Sequence, residues 1–366
     1  MATENARSDA PRKLNELGQS LWLDNITRDL LNNGTLARYI SSGLSVTGLT
    51  SNPTIFDHAI GKSASYDADV SSLARQGLSV EDLFFELAIA DLTRAADLFK
   101  PVYERTATVD GFVSLEVSPL LAYDTAQTLA AARKLHAKAG RPNLFIKIPG
   151  TREGIPAIEE AIFQGVPVNV TLLFSTQQYQ AAAEAYLRGL ERRVLAGQSP
   201  DVRSVASLFV SRWDKATMEK LPAALRNTLG IAVGQQSYRA YRQLLASDRW
   251  QRLENLGARA QRLLFASTGV KDPSAPDTMY VTALAAPNTV NTMPEETLLA
   301  FGDHGALKGA LAPDGGNCEQ TLAAIGKAGV DVAALAAQLQ TEGAESFNAS
   351  WKNLLKSIET KSKALK

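Results

Sequence analysis

The chain has 366 residues, 45% of them hydrophobic, with 38 basic and 38 acidic side chains and a formal net charge of zero. This is enough to bury a large core, and no Lys/Arg-rich block supplies the footprint that a nucleic-acid partner requires. A single cysteine, Cys318, excludes an intrachain disulfide framework and a thiolate metal cluster, and His58, His136 and His304 lie too far apart for HxH or HExxH ligation.

Residues 1–11 are polar and lack the apolar core of a signal peptide, so a disordered tail is expected there, followed by a leading helix over about 12–17. No stretch approaches the ~20 apolar residues of a membrane span. The expectation is a cytoplasmic protein with no membrane partner. Short β-branched runs then alternate with longer helical patterns. Strands are predicted at 20–25, 45–50, 112–117, 144–149, 166–174, 205–210, 262–267 and 279–284. Helices are predicted over 123–139, 156–164 and 176–195, the last opened by a capping box from Ser175 and Gln178. The segment 56–100 reads as two helices, with Pro101 and Gly111 returning the chain to a strand. Beyond the eighth run, 294–366 is alanine-rich and helical, and 302–305 reads as a turn.

Strands separated by helices pair in parallel through right-handed crossovers, and eight of them close into a (β/α)8 barrel. The absence of an early GxGxxG turn argues against a dinucleotide fold. The predicted architecture is one α/β TIM-barrel domain over 1–366, with extra helices at the N-terminus, after the second strand and at the C-terminus. Alanine-rich helices suit internal packing or a homo-oligomer interface equally.

Barrel strands place alternate residues inward, so parity identifies shared faces. Asn169 and Thr171 share one face of the fifth run, Ser114 and Glu116 one face of the third, and Lys147 alternates with Ile146 and Ile148. Asp24 shares parity with Trp22, and Ser207 with Phe209 and Ser211. Each has an ordinary reading alone: a snorkelling lysine, a structurally paired glutamate, Asp24 as a helix N-cap, Asn169 and Thr171 as polar barrel filling. Convergence from five strand ends is what a barrel active site produces.

Such a set supports amine catalysis. A lysine attacks a ketone when neutral, and an apolar shell favours that form. The resulting iminium is an electron sink that lets a neighbouring carbon–carbon bond break without a metal. Glu116 is placed to protonate and expel water, and Asp24 to take the proton of a β-hydroxyl. Arg212, just past Ser207-Leu208-Phe209-Val210-Ser211, suits a phosphate dianion, with a surface ion pair as the ordinary alternative. Ser267 and Lys271, in the turn after the seventh strand, can add to a phosphate site.

The segments Trp22-Leu23-Asp24, Thr50-Ser51-Asn52-Pro53-Thr54, Ser114-Leu115-Glu116-Val117, Phe145-Ile146-Lys147-Ile148-Pro149 and Asn169-Val170-Thr171-Leu172-Leu173-Phe174 resemble the transaldolases in order and spacing. Tyr280-Val281-Thr282 and the run from Pro287 to Pro294 look like the longer bacterial subgroup. The resemblance implies a class I aldolase-like barrel that needs no cofactor and acts on small sugar phosphates. The unit moved is dihydroxyacetone, from sedoheptulose 7-phosphate to glyceraldehyde 3-phosphate, in the non-oxidative pentose phosphate pathway. It implies Lys147 as the Schiff-base lysine, Glu116 as acid/base through a water positioned by Thr171, and Asp24 as the carboxylate handling the hydroxyl proton. Asn52 and Asn169 would hold the dihydroxyacetone portion, Ser207 and Arg212 the phosphate, and Phe209 would line the site. The better-known subgroup has a second phosphate arginine after strand seven, where Ser267 or Lys271 stands here.

Two other readings compete. Fructose-6-phosphate aldolases share the barrel and often place a tyrosine where Phe209 stands; a phenol can order water for release, which Phe209 cannot. A non-catalytic sugar-phosphate-binding barrel would be expected to lack Lys147, Glu116 or Asp24, and all three are present.

Overall fold

The computed structural model describes residues 7–365. Eight strands run β1 Gln19–Asp24, β2 Val46–Thr50, β3 Val113–Glu116, β4 Leu144–Pro149, β5 Val168–Leu173, β6 Ser204–Phe209, β7 Arg262–Ala266 and β8 Thr289–Met293. All pairings are parallel, in the order β2-β1-β8-β7-β6-β5-β4-β3. The strands read as near-continuous buried runs because helices cover the outer face while side chains fill the interior. β2 and β3 are joined by two backbone bonds rather than a ladder: the Leu49 N–H donates to Phe112 O (3.0 Å) and the Gly111 N–H to Thr47 O (3.0 Å). Gly111 is required there, since φ is +85° and a Cβ would lie 2.4 Å from the Tyr103 nitrogen.

Seven of the predicted strands overlap the observed ones; the eighth does not. Residues 279–284, expected as strand, form the helix Met279–Ala283, and β8 follows it at Thr289–Met293. Burial at Tyr280, Val281 and Leu284 has helical spacing, and the Tyr280 hydroxyl donates to the buried Asp214 (2.8 Å). The true strand carries Thr289, Asn291 and Thr292, so its composition hides it among polar segments.

Other expectations also change. The leading helix spans Ala10–Glu16, and the Ser8 N–H donates to Gly302 O (2.8 Å). Of the tail expected over 1–11, residues 7–11 are therefore ordered, while 1–6 lie outside the described residues. The segment 56–100 is not two helices but parts of three, Pro53–Lys62, Asp67–Arg75 and Val80–Arg105, with a 3-10 turn at Ala64–Tyr66. Pro101 sits inside the last of these rather than ending it. Residues 302–304 complete the helix Glu295–His304 instead of forming a turn.

A buried cluster holds the excursion to the barrel. Arg28 Nε donates to Asp91 Oδ1 (3.0 Å), its Nη1 to Asp69 (2.6 Å), and the Tyr66 hydroxyl to Asp91 Oδ2 (2.8 Å). After Cys318–Lys327, the long helix Val332–Ala364 lies along Pro53–Lys62, with Thr54 and Ser350 hydroxyls 2.7 Å apart. Trp351 fixes it against Phe84 and Phe85, with ring centroids 5.0 and 5.7 Å away. Gln340 Nε2 donates to Gly150 O (3.0 Å) and Leu172 O (2.9 Å), so the helix also clasps the ends of β4 and β5. Among the described residues, no single helix is long and apolar enough to cross a membrane.

Candidate active site

At the C-terminal ends of the strands, adjacent β3 and β4 set Glu116 beside Lys147 in register. The Lys147 Nζ lies 3.1 Å from Glu116 Oε2 and donates to Ser51 O at 2.9 Å. Both residues are buried, at 4% and 5% exposure, so this is an ion pair in a low-dielectric setting. Burial pushes the Glu116 carboxyl up, and the Lys147 charge and hydrogen bond oppose that shift. Apart from the Lys147 contact, neither Glu116 oxygen has a hydrogen-bond partner among the described residues, and Thr171 Oγ1 has none. Buried acceptors and hydroxyls left this way are costly unless a bound molecule or water satisfies them.

Asp24 closes β1, and its Oδ1 accepts from Thr50 Oγ1 (2.7 Å), which in turn meets Thr292 Oγ1 (2.7 Å). Burial raises its pKa, against the pull of the Lys147 charge, the Thr50 hydrogen bond and the Lys271 charge. The N-cap reading of Asp24 does not hold. The helix Arg28–Asn32 is capped by Thr27, whose hydroxyl accepts from the Leu30 N–H (3.0 Å).

Asn52 caps the helix Pro53–Lys62 through Oδ1, which accepts from the Ile55 N–H (3.1 Å). Asn169 pairs in register with Lys147, and both ends of its amide are held: Nδ2 donates to Ser114 Oγ (3.1 Å), and Oδ1 accepts from Ser207 Oγ (2.7 Å). The Phe209 ring packs tilted against Phe174, centroids 5.2 Å apart, and the Arg212 guanidinium lies over Phe209 (5.5 Å) and Phe347 (5.9 Å). Arg212 makes no ion pair among the described residues, so the surface ion-pair alternative is not what forms. Burial lowers its pKa, partly offset by the Glu342 charge. Ser267 turns the chain at φ +55°, with its hydroxyl 2.9 Å from that of Ser211.

These side chains surround a cavity of about 250 Å³. Asp24, Asn52, Lys147, Thr171, Ser207, Phe209, Arg212, Ser267 and Lys271 line it, whereas Glu116 and Asn169 stand behind the wall. The wall also includes Thr50, Thr292 and Phe347, to which sequence reasoning gave no role. Thr50 and Thr292 lie inside motifs that the sequence displays, but only the strand register, Thr50 beside Asp24 and Thr292 beside Trp22, brings them to the site. Phe347 comes from the helix Val332–Ala364, far away in sequence, and no local pattern marks it. The ensemble offers a buried amine with an adjacent carboxyl, a second carboxylate across the cavity, and an unpaired guanidinium at the rim.

The family model described as Transaldolase/Fructose-6-phosphate aldolase matches residues 21–358. A protein named Transaldolase from Parafrankia sp. (strain EAN1pec) is 44% identical over 354 residues, covering 94% of this chain and 96% of that protein. One of the same name from Saccharopolyspora erythraea is 45% identical over 352 residues, covering 94% and 95%. Transaldolase 2 from Streptomyces coelicolor is 43% identical over 367 residues, covering 98% of each chain.

Proposed function

The chain belongs to the transaldolase/fructose-6-phosphate aldolase family, and from that premise we propose that it is a transaldolase, an aldehyde/ketone-residue transferase that carries dihydroxyacetone on Lys147. The donor is sedoheptulose 7-phosphate, the acceptor glyceraldehyde 3-phosphate, and the products erythrose 4-phosphate and fructose 6-phosphate. The setting is the non-oxidative pentose phosphate pathway of the cytoplasm. The observation that carries the reading is the buried Lys147 Nζ, 3.1 Å from Glu116, opening on a cavity that Asp24 and Arg212 share.

Proton transfer from Lys147 to its ion-pair partner Glu116 frees the amine, which adds to the donor carbonyl carbon, the proton it then sheds passing to the carbonyl oxygen. Glu116, protonated readily because burial raises its pKa, delivers a proton through a water that Thr171 holds, and the carbinolamine loses water. Asp24 then takes the β-hydroxyl proton as the carbon–carbon bond breaks, and its electron pair enters the iminium to give an enamine. The aldose leaves. The enamine carbon attacks the acceptor aldehyde, Asp24 returns its proton to the new alkoxide, and water assisted by Glu116 hydrolyses the imine. Asn52 orients the three-carbon unit from the cavity wall, and Asn169, behind it, fixes Ser207. Ser207, Arg212, Ser267 and Lys271 receive the phosphate.

Borohydride added during incubation with fructose 6-phosphate is expected to leave a reduced three-carbon adduct on Lys147, read by mass spectrometry of peptides. Lys147→Arg should fold normally yet give neither adduct nor turnover, because guanidinium is never a neutral nucleophile. Wild-type rates from that variant would sink the proposal. Phe209 favours transfer over release. Consumption of fructose 6-phosphate should therefore depend on added erythrose 4-phosphate, and equal rates without it would point to an aldolase.

A further inference from the structure

The backbone around Arg212 is fixed by its two following neighbours. Trp213 donates through Nε1 to Phe174 O (3.0 Å), and Asp214 accepts from the Leu229 N–H (3.0 Å) and the Tyr280 hydroxyl (2.8 Å). The Arg212 side chain has no such hold. Among the described residues its guanidinium makes neither an ion pair nor a hydrogen bond, and what it meets are the ring faces of Phe209 and Phe347. Glu342 acts on it through charge alone, its Oε1 accepting instead from Gln338 Nε2 (2.7 Å) on the same helix. The next residue, Gly343, carries no side chain to crowd Nη1.

A carboxylate that held this arginine would occupy the N–H fork that a phosphate needs. A ring face attracts the cation through its π cloud and leaves the in-plane N–H groups free. The two rings come from different elements: Phe209 ends β6, whereas Phe347 belongs to the helix Val332–Ala364 and is only 5% exposed where it lines the cavity. Holding a long, rotamer-rich side chain in place beforehand lowers the ordering cost that a ligand must meet on binding.

We propose that Phe347 is a positioning residue for Arg212, and through it sets the preference of the site for phosphorylated over unphosphorylated ketoses. The inference rests on the reading of Arg212 as a phosphate ligand. It adds that the selectivity is built from the C-terminal helix as well as from the barrel.

The test compares kcat/KM for fructose 6-phosphate and for fructose, with unphosphorylated erythrose as the common acceptor, so that phosphate enters only with the donor. Wild type, Phe347→Leu, Phe347→Tyr, Glu342→Gln and Arg212→Ala are measured in parallel. Phe347→Leu, which keeps apolar bulk but loses the ring, should lower the ratio of the two values about fivefold or more, mainly by raising KM for fructose 6-phosphate. Turnover of fructose should move far less. Phe347→Tyr keeps a ring face and should recover most of the ratio, and Glu342→Gln should not lower it. An unchanged ratio in Phe347→Leu beside a reduced one in Arg212→Ala would overturn the role of Phe347 while leaving the phosphate reading intact. An unchanged ratio in Arg212→Ala would remove the phosphate reading and this inference with it. Equal losses for both donors in Phe347→Leu would make Phe347 merely structural, and failure of Phe347→Tyr to recover the ratio would overturn the part given to the ring face.

Discussion

Asp24 shows how a single carboxylate exchanges stability for chemistry. Burial raises its pKa above the ordinary value of 3.8, so folding disfavours the charged form. Below the unfolded pKa both states hold the proton and nothing is lost. As pH rises through the unfolded value toward the folded one, the native state loses stability, and the loss is complete above the folded pKa. Asp24→Asn should therefore raise stability in urea denaturation at about pH 8 relative to wild type, and the gain should vanish near about pH 3. The same variant should lose about a hundred- to ten-thousand-fold in kcat, the range of a general base. Unaltered turnover would remove Asp24 from the proton path. Lys147, Glu116 and Asp24 were legible in sequence because a charged residue in an alternating apolar strand announces its face. Thr50 and Thr292 were not, because their part is a contact across strands that meet only once the barrel closes.

Helix Val332–Ala364 acts as a clamp on the site rather than a decoration. β5 shifts register between Val170 and Leu173, with Leu172 held at φ +60°, a costly conformation for a bulky side chain that persists only when its surroundings enforce it. Gln340 supplies part of that enforcement through Leu172 O and Gly150 O. Gly343 lets the helix approach, since a Cβ there would stand 3.0 Å from Leu172 and 3.2 Å from Arg212 Nη1. Gln340→Leu leaves two acceptors unpaired, at a cost of about 1–3 kcal/mol each where buried. It should lower kcat more than it raises KM, through Thr171, and steady-state kinetics with fructose 6-phosphate and erythrose 4-phosphate check this. An effect confined to KM would show that Gln340 does not position Thr171. The helical character of this region was plain from its alanine-rich pattern, but the placement was not, because no local signal says which helix crosses a barrel mouth. β8 was lost for the opposite reason: its polar residues serve neighbours in space and defeat a search for apolar runs.

At the scale of the molecule, the excursion between β2 and β3 is secured by Arg28, Asp91, Asp69 and Tyr66. Burial raises the Asp91 pKa against the opposing charge of Arg28, so the pair stands only with both members present. Arg28→Met should cost about 3–5 kcal/mol, measured as a shift in the urea midpoint, with transfer activity retained where the fold persists. The alternation of strands and helices made the eightfold barrel readable, whereas this internal ion pair joins residues 63 positions apart and leaves no local trace. The same excursion explains where the cylinder is thinnest. Only two amides, of Leu49 and Gly111, stitch β2 to β3, whereas every other neighbouring pair of strands shares a ladder. Those two N–H groups should exchange with deuterium sooner than the amides within β4 to β7. Lys147 leans on Ser51, just past one lip of this slit, and Glu116 stands on the other. Any breathing of this slit would thus draw the Ser51 carbonyl away from the amine, while Lys147 and Glu116, laddered on the same side, stay together.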